Sequence, residues 1–397
     1  MLSKNLVAIP SPFPWAPGHV VAESEYILQY QILNNVHDKI NLVFLPGPVS
    51  IPFVNVYRDW FKKFNINLTT DIEEATSLLA KIDTNLLINA ALSHCVHVVE
   101  DRFQPLTRIY DNTVKSSYSA LSQGCLQQAT VSTQYVHNLQ NDFCYNYYSL
   151  PVSFKPIPRM RLGLIEKYIP DIAERRIILT NIREHRANGS AGMNFADFLP
   201  LIKYLQSQDY SIIDVSHEKK SCSSALEENG VFCYSKLEEK NFYLDIDLFS
   251  YATFYIGGGG ISHLAYSMKI PSIWVGGLFP IHVPSLHGFI LPCQLYDRGS
   301  GLPVDTNTAF REYLGVRNPW EPGYDCWSNS WGKGNPFNCY ETLNSKFIIE
   351  RPTPFSLLNT FICLENNVLN DICLMEVYES NDIFGRPYIG SKVSLPT

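Results

Sequence analysis

The pattern of apolar and polar positions alternates between short buried runs and amphipathic stretches. Leu6 to Ile9 is a short apolar run. A proline-rich loop from Pro10 to Gly18 follows, then a stretch from Val20 to Leu33 whose apolar positions Val21, Ile27, Leu28 and Ile32 suit a helix. The run Leu42 to Leu45 reads as a buried strand, Phe53 to Phe64 as a helix, and Leu86 to Ala91 as another strand. Strand–helix alternation of this kind predicts a parallel sheet covered on both faces.

Residues 110–160 break the pattern. Residues 113–135 are rich in Ser, Thr and Gln, and three prolines fall within 151–159. The connection between two domains is expected here. The alternation then restarts. Arg176 to Asn181 reads as a strand, Phe195 to Gln206 as an amphipathic helix and Asp209 to Ser216 as a strand. Tyr251 to Ile256 is a strand that runs into four glycines, Ile261 to Met268 a helix, and Pro271 to Gly276 a strand. Beyond residue 317 the period is lost, with one helix expected after Pro354. The predicted fold class is α/β, with two Rossmann-like domains facing across a cleft. Residues 1–155 form the first domain, 156–320 the second, and 321–397 an extension packing back on the body.

Composition fits this picture. A chain of 397 residues exceeds what one core usually serves, and a hydrophobic share of 46% with 17% charged residues is that of a globular protein. The net charge of −7, with no basic stripe, argues against a nucleic-acid partner. It leaves room for at most peripheral membrane contact through a local patch. Ten cysteines are scattered without a C-x-x-C pair, so they read as reduced thiols of a cytosolic protein. The alternative, a secreted disulfide protein, lacks an apolar leader at the N-terminus. The expected location is the cytoplasm, with the inner face of the membrane as the place for any peripheral contact. The sequons at Asn67 and Asn188 are then chance matches.

The sharpest local signal is the turn Gly257-Gly258-Gly259-Gly260, followed by Ile261, Ser262 and His263. Glycines let the backbone turn tightly and approach a ligand with no Cβ in the way. The helix that follows would present its first amides to an anion. Ser262 could cap that helix or donate to a phosphate oxygen, and His263 could donate to a phosphate or ribose oxygen. A tight strand-to-helix turn with Ser262 as a plain cap is the competing reading. The turn lacks the Gly-Lys-Ser/Thr of a P-loop and lies too late in its domain for a dinucleotide fingerprint.

The run from Ile256 to Gly277 resembles the donor-site loop of glycosyltransferases of the GT-B fold, especially heptosyltransferase-like ones. Ile182-Arg183-Glu184, the stretch from Asn194 to Leu205, Leu286-His287-Gly288 and Pro17-Gly18-His19 with Glu23 are similar to a group from bacterial polysaccharide loci. That group often carries an arginine where this chain has Asp214, Val215 and Ser216, so a donor contact there is not expected.

The resemblance implies a glycosyltransferase. It would move a sugar from a nucleotide sugar to a glycan, lipid-linked or protein acceptor in bacterial surface glycan synthesis, with no metal or other cofactor. Arg183 follows an expected strand end, where a guanidinium can pair with a diphosphate, and Glu184 stands beside it. A surface ion pair between these two is the plainer reading. The resemblance also places the base that takes the acceptor's proton in the first strand–loop–helix. His19 and Glu23 are the candidates there, and both also suit the start of an ordinary helix. The pair Asp245 and Asp247 resembles a metal-binding D-x-D but is expected to open a helix. A nucleotide-sugar epimerase or hydrolase of the same fold, and a binding module without turnover, remain the alternatives.

Overall fold

The computed structural model describes residues 5–8, 17–18, 20–21, 24–25, 28, 39–44, 46–71, 74, 87–88, 156–182, 194–216, 222–276, 288–291, 293–304, 344–369, 377–381 and 387–389. These residues fall into two units, 5–88 and 156–389.

The first unit holds a parallel sheet of β1 (Asn5–Ala8), β2 (Lys39–Val43), β3 (Ile66–Thr69) and β4 (Leu87–Ile88) in the order β3-β2-β1-β4. Helix α1 (Ser50–Lys62) joins β2 to β3. Its Phe53, Tyr57 and Phe61 recur every fourth residue and are fully buried, which puts them on one face. The ring of Phe53 lies 5.0 Å from that of Tyr57 and 6.1 Å from that of Phe61. Asn65 adopts a left-handed conformation (φ 59°) after the helix, and its carbonyl accepts from the Ile40 amide at 2.9 Å. One residue thus turns the chain and starts the β2–β3 pairing. Near the N-terminus, Pro17, Gly18, Val20, Val21, Ser24, Glu25 and Leu28 are helical, as the sequence pattern predicts for most of them.

The second unit is a six-stranded parallel sheet. Its strands are β5 (Arg176–Asn181), β6 (Tyr210–Asp214), β7 (Val231–Cys233), β8 (Ala252–Gly257), β9 (Ser272–Val275) and β10 (Gly288–Leu291). They lie in the order β10-β9-β8-β5-β6-β7. The chain therefore builds outward from β5 to one edge, returns to the centre, and builds outward to the other. This is the doubly wound order, and both sheet faces are buried.

On one face, Ile178, Ile212, Phe254 and Ile273 meet α2 (Phe195–Ser207) and α6 (Pro354–Leu369), which contribute Phe198, Leu201, Leu205, Leu357, Phe361 and Leu364. On the other face, Phe249 of α4 (Phe242–Ser250) and Tyr266 of α5 (Ser262–Ser267) pack on Tyr255, with ring centroids 5.7 and 6.5 Å away. The short α3 (Ser223–Glu228) precedes β7. Helix α2 begins with a reciprocal cap in which the Asp197 side chain accepts from the Asn194 amide at 2.9 Å.

Helix α6 is fastened at the amino ends of the strands. Glu365 accepts from the Tyr210 hydroxyl at 2.6 Å and the Tyr204 hydroxyl at 2.9 Å. The Arg176 guanidinium lies over the Tyr210 ring, 3.9 Å from its centroid. A small antiparallel sheet of β11 (Gln294–Asp297), β12 (Pro303–Val304) and β13 (Phe347–Glu350) adjoins, and β14 (Val377–Asn381) pairs with β15 (Pro387–Ile389). Among the described residues Cys222, Cys233 and Cys293 are buried thiols and Cys363 an exposed one, none of them in a disulfide.

Candidate functional site

In a doubly wound sheet the carboxyl ends of the two strands flanking the reversal of order form the crevice where ligands bind. Here those strands are β5 and β8, which end opposite each other at Asn181 and Gly257. A Cβ built on Gly257 would stand 2.8 Å from the Asn181 nitrogen and 2.9 Å from its carbonyl oxygen, so only glycine fits. One residue on, the Asn181 side-chain amide donates to the Gly258 carbonyl at 2.6 Å. Gly259 has φ 88°, a conformation that side chains with a Cβ rarely adopt. The requirement for glycine is thus different at each of these positions.

The turn then winds into α5. The amides of Ser262 and His263 donate to the carbonyls of Gly259 and Gly260 at 3.0 and 3.2 Å. The amides of Gly259, Gly260 and Ile261 meet no backbone acceptor among the described residues. Gly259 and Gly260 are half-buried, at the sheet's carboxyl edge. Three consecutive donors without a backbone acceptor among the described residues, in a turn of this kind, are the chemistry that seats an anion. The Ser262 amide, by contrast, is committed to the Gly259 carbonyl.

Ser262 and His263 lie behind the turn. The cap position of α5 is Ile261 and no side chain caps the helix, so the reading of Ser262 as a plain cap does not hold. The Ser262 hydroxyl is fully buried and 3.0 Å from that of Tyr255. The His263 ring is buried with its edge towards Tyr266, 5.8 Å between centroids. Tyr266 in turn stacks on Trp274, and burial holds its phenol well above the ordinary range. The indole nitrogen of Trp274 would stand 3.3 Å from a Cβ on Gly258. An aromatic wall therefore backs the glycines on the side away from Asn181.

Asp214 ends β6 and is buried. It accepts from the Ile182 amide at 3.2 Å and from the Ser216 hydroxyl. It thereby ties the chain leaving β5 to the end of β6. The Asp245-Ile246-Asp247 motif is also occupied. Asp245 lies in the first turn of α4, which Asn241 caps through the amides of Tyr243 and Leu244. Asp247 is fully buried and accepts from the amides of Leu162 and Leu164 at 2.6 Å each and of Ile165 at 2.8 Å. Among the described residues no group of three or more His, Cys, Asp or Glu is placed to hold a metal ion.

Of the expected site residues, the structure places Gly257, Gly258, Gly259 and Gly260 in the turn and Ser262 and His263 in the helix that follows it. Arg183 and Glu184 lie outside the described residues, directly after Ile182. His19 and Glu23 also lie outside them, in the other unit. Asn181 was not anticipated. Its signal in the sequence is a polar residue closing an apolar run just where the next strand of the sheet meets a glycine. No described helix is long and apolar enough to cross a membrane.

No protein-family model and no curated protein sequence matches the chain. Among solved structures it is similar to the ADP-heptose lipopolysaccharide heptosyltransferase II of E. coli. That likeness has 12% identity and a TM-score of 0.45, over 93% of this chain and 99% of the other. It is also similar to a glycosyl transferase of family 9 from Veillonella parvula, at 12% identity and a TM-score of 0.47, over 92% and 98%. A third is the iron-containing dodecameric glycosyltransferase TibC of enterotoxigenic E. coli, at 12% identity and a TM-score of 0.43, over 92% and 77%.

Proposed function

We propose that this protein is a glycosyltransferase that takes its sugar from a nucleotide-activated donor. The observation that carries the reading is the run of amides at Gly259, Gly260 and Ile261 that meet no backbone acceptor among the described residues, at the carboxyl end of the strand beside the sheet's reversal point. The donor's diphosphate sits on these amides. Arg183, next to the end of β5, pairs with the diphosphate and steadies the departing nucleotide, and Glu184 contacts the donor beside it. Ser262 and His263 back the turn from the buried side.

The acceptor is a glycan, lipid-linked or protein hydroxyl of bacterial surface glycan synthesis, and His19 or Glu23 takes its proton. The protein's own groups supply the charge stabilisation, and no metal or cofactor takes part. The place of work is the cytoplasm or the inner face of the membrane.

The test is a calorimetric titration with UDP, GDP, CMP, ADP and dTDP, followed by turnover of the matching nucleotide sugar with and without acceptor. Binding of one nucleotide, abolished in a folded Gly259→Val variant, is the expected result. Unchanged affinity in that variant would reduce the turn to a structural bend. Product formed from the donor alone would point to an epimerase or hydrolase, and binding without turnover to a sensor or tether.

A further inference from the structure

We infer that Asn181 is the positioning residue that decides which way the Gly258–Gly259 peptide faces, and hence whether the glycine turn attracts or repels an anion. The inference rests on the reading of this turn as the seat of the donor's diphosphate.

A trans peptide holds its C=O and N–H in one plane, pointing in opposite directions across the C–N bond, and no described peptide bond is cis. The Gly258 carbonyl is drawn towards β5 by the Asn181 side-chain amide at 2.6 Å. The Gly259 amide on the same plane must therefore face away from Asn181. That amide is the first of the three without a backbone acceptor among the described residues.

Rotating this plane by half a turn changes only ψ of Gly258 and φ of Gly259. Glycines on both sides of the plane make either orientation sterically accessible. The flanking residues therefore do not dictate the choice. The bond from Asn181 does. Asn181 is 8% exposed, so water does not readily replace that bond. In the flipped state the Gly258 carbonyl would face outward and oppose any phosphate on the turn.

Asn181→Asp is nearly isosteric and replaces the donor with an acceptor. An ionised carboxylate facing the Gly258 carbonyl would repel it and accept from the flipped Gly259 amide instead. At pH 8 the variant is expected to bind the nucleotide that the wild type binds about tenfold to a hundredfold more weakly, the scale of a lost hydrogen bond to a charged group. Lowering the pH protonates the introduced carboxylate and restores a donor. The ratio of variant to wild-type affinity is then expected to climb back towards one, a recovery that mere loosening of the fold would not give. A ratio near one at pH 8 overturns the inference, and so does a weakened affinity that stays flat with pH.

Hydrogen–deuterium exchange of the peptide covering 257–263, without ligand, provides a second readout. At pH 8 Asn181→Asp is expected to slow one amide there, as the Gly259 N–H turns inward to the carboxylate, with the exchange of β5, β6 and β8 otherwise unchanged. No slowed amide overturns the inference. If the wild type binds no nucleotide in the titrations, the proposed function fails, and the exchange experiment alone still decides whether Asn181 sets the peptide.

Discussion

Gly257 and Asn181 approach so closely that a Cβ on the glycine would lie 2.8 Å from the Asn181 backbone nitrogen. The contact falls where β5 and β8 deliver the chain to the candidate site. Gly257→Ala must push the two strand ends apart, at a cost of about 1–3 kcal/mol, the usual range for overpacking. Gly258→Ala meets the Trp274 side chain at 3.3 Å as its tightest contact, one that a side chain can relieve by a small shift. Urea denaturation of the two variants is expected to show a clearly larger loss at 257. Equal losses would mean that the strand contact is looser than described.

Asp247 is the second place where one side chain organises a whole segment. Removing its carboxylate strands the buried Ile165 amide and frees those of Leu162 and Leu164. Asp247→Ala is expected to destabilise by about 2–4 kcal/mol, given about 1–3 kcal/mol for each donor left unmet in the interior. Asp247→Asn keeps an acceptor for Leu164 and Ile165 and is expected to lose less. Chemical denaturation orders the variants, and limited proteolysis within 156–165 locates the loosened segment. An Ala variant as stable as the Asn variant would show that the three bonds add nothing.

Alkali should unfold the protein through its tyrosines. The Tyr251 phenol is pushed up to about 12 by burial and by the Glu166 carboxylate that it bonds at 2.8 Å. Burial moves Tyr57 and Tyr266 in the same direction. A group raised on folding contributes its full stability below its unfolded pKa, near 10 for tyrosine, and loses it as pH climbs through the folded value. Stability is therefore expected to hold up to about pH 9.5 and to fall between about pH 10 and 12. Phenolate absorbance of the buried tyrosines should appear together with loss of circular dichroism. Full ionisation of the tyrosines in a still-folded protein would contradict this.

The two sides of the proposed reaction separate by kinetics. His19→Ala or Glu23→Gln, whichever removes the base, is expected to lower turnover by roughly two to four orders of magnitude with donor affinity little changed. Arg183→Ala is expected to lower both, because the cation meets the diphosphate before and during departure. Wild-type turnover in both base variants would place the base elsewhere. Loss of donor binding in them, with none in Arg183→Ala, would reverse the roles of the two units.

Much of the fold was legible because apolar period and turn chemistry agreed. The strand Arg176–Asn181 lies where the sequence pattern puts it, and the helices at Phe195 and after Pro354 begin where expected. The missed elements are short or break the apolar run. Strand β3 is Ile-Asn-Leu-Thr, half polar by pattern, and β7 is three residues long. Strand order was beyond reach, because pairing depends on contacts between segments far apart in sequence. For the same reason the glycines could be read as a turn, while the partner that fixes them could not. Asn181 looks like any strand-end residue until β8 is laid beside β5.

Helix α6 has a consequence for the order in which the protein comes into being. Leu357, Phe361 and Leu364 complete a core whose other members begin at Ile178. During synthesis the second sheet must wait with one face covered by α2 alone until the residues of α6 have emerged, and only then can Glu365 lock onto Tyr204 and Tyr210. A chain stopped after Arg351 is accordingly expected to collect in the insoluble fraction, and a soluble, cooperatively melting product would show that the sheet closes without its last helix. The stretch after Arg351 thus governs whether the sheet translated before it is kept.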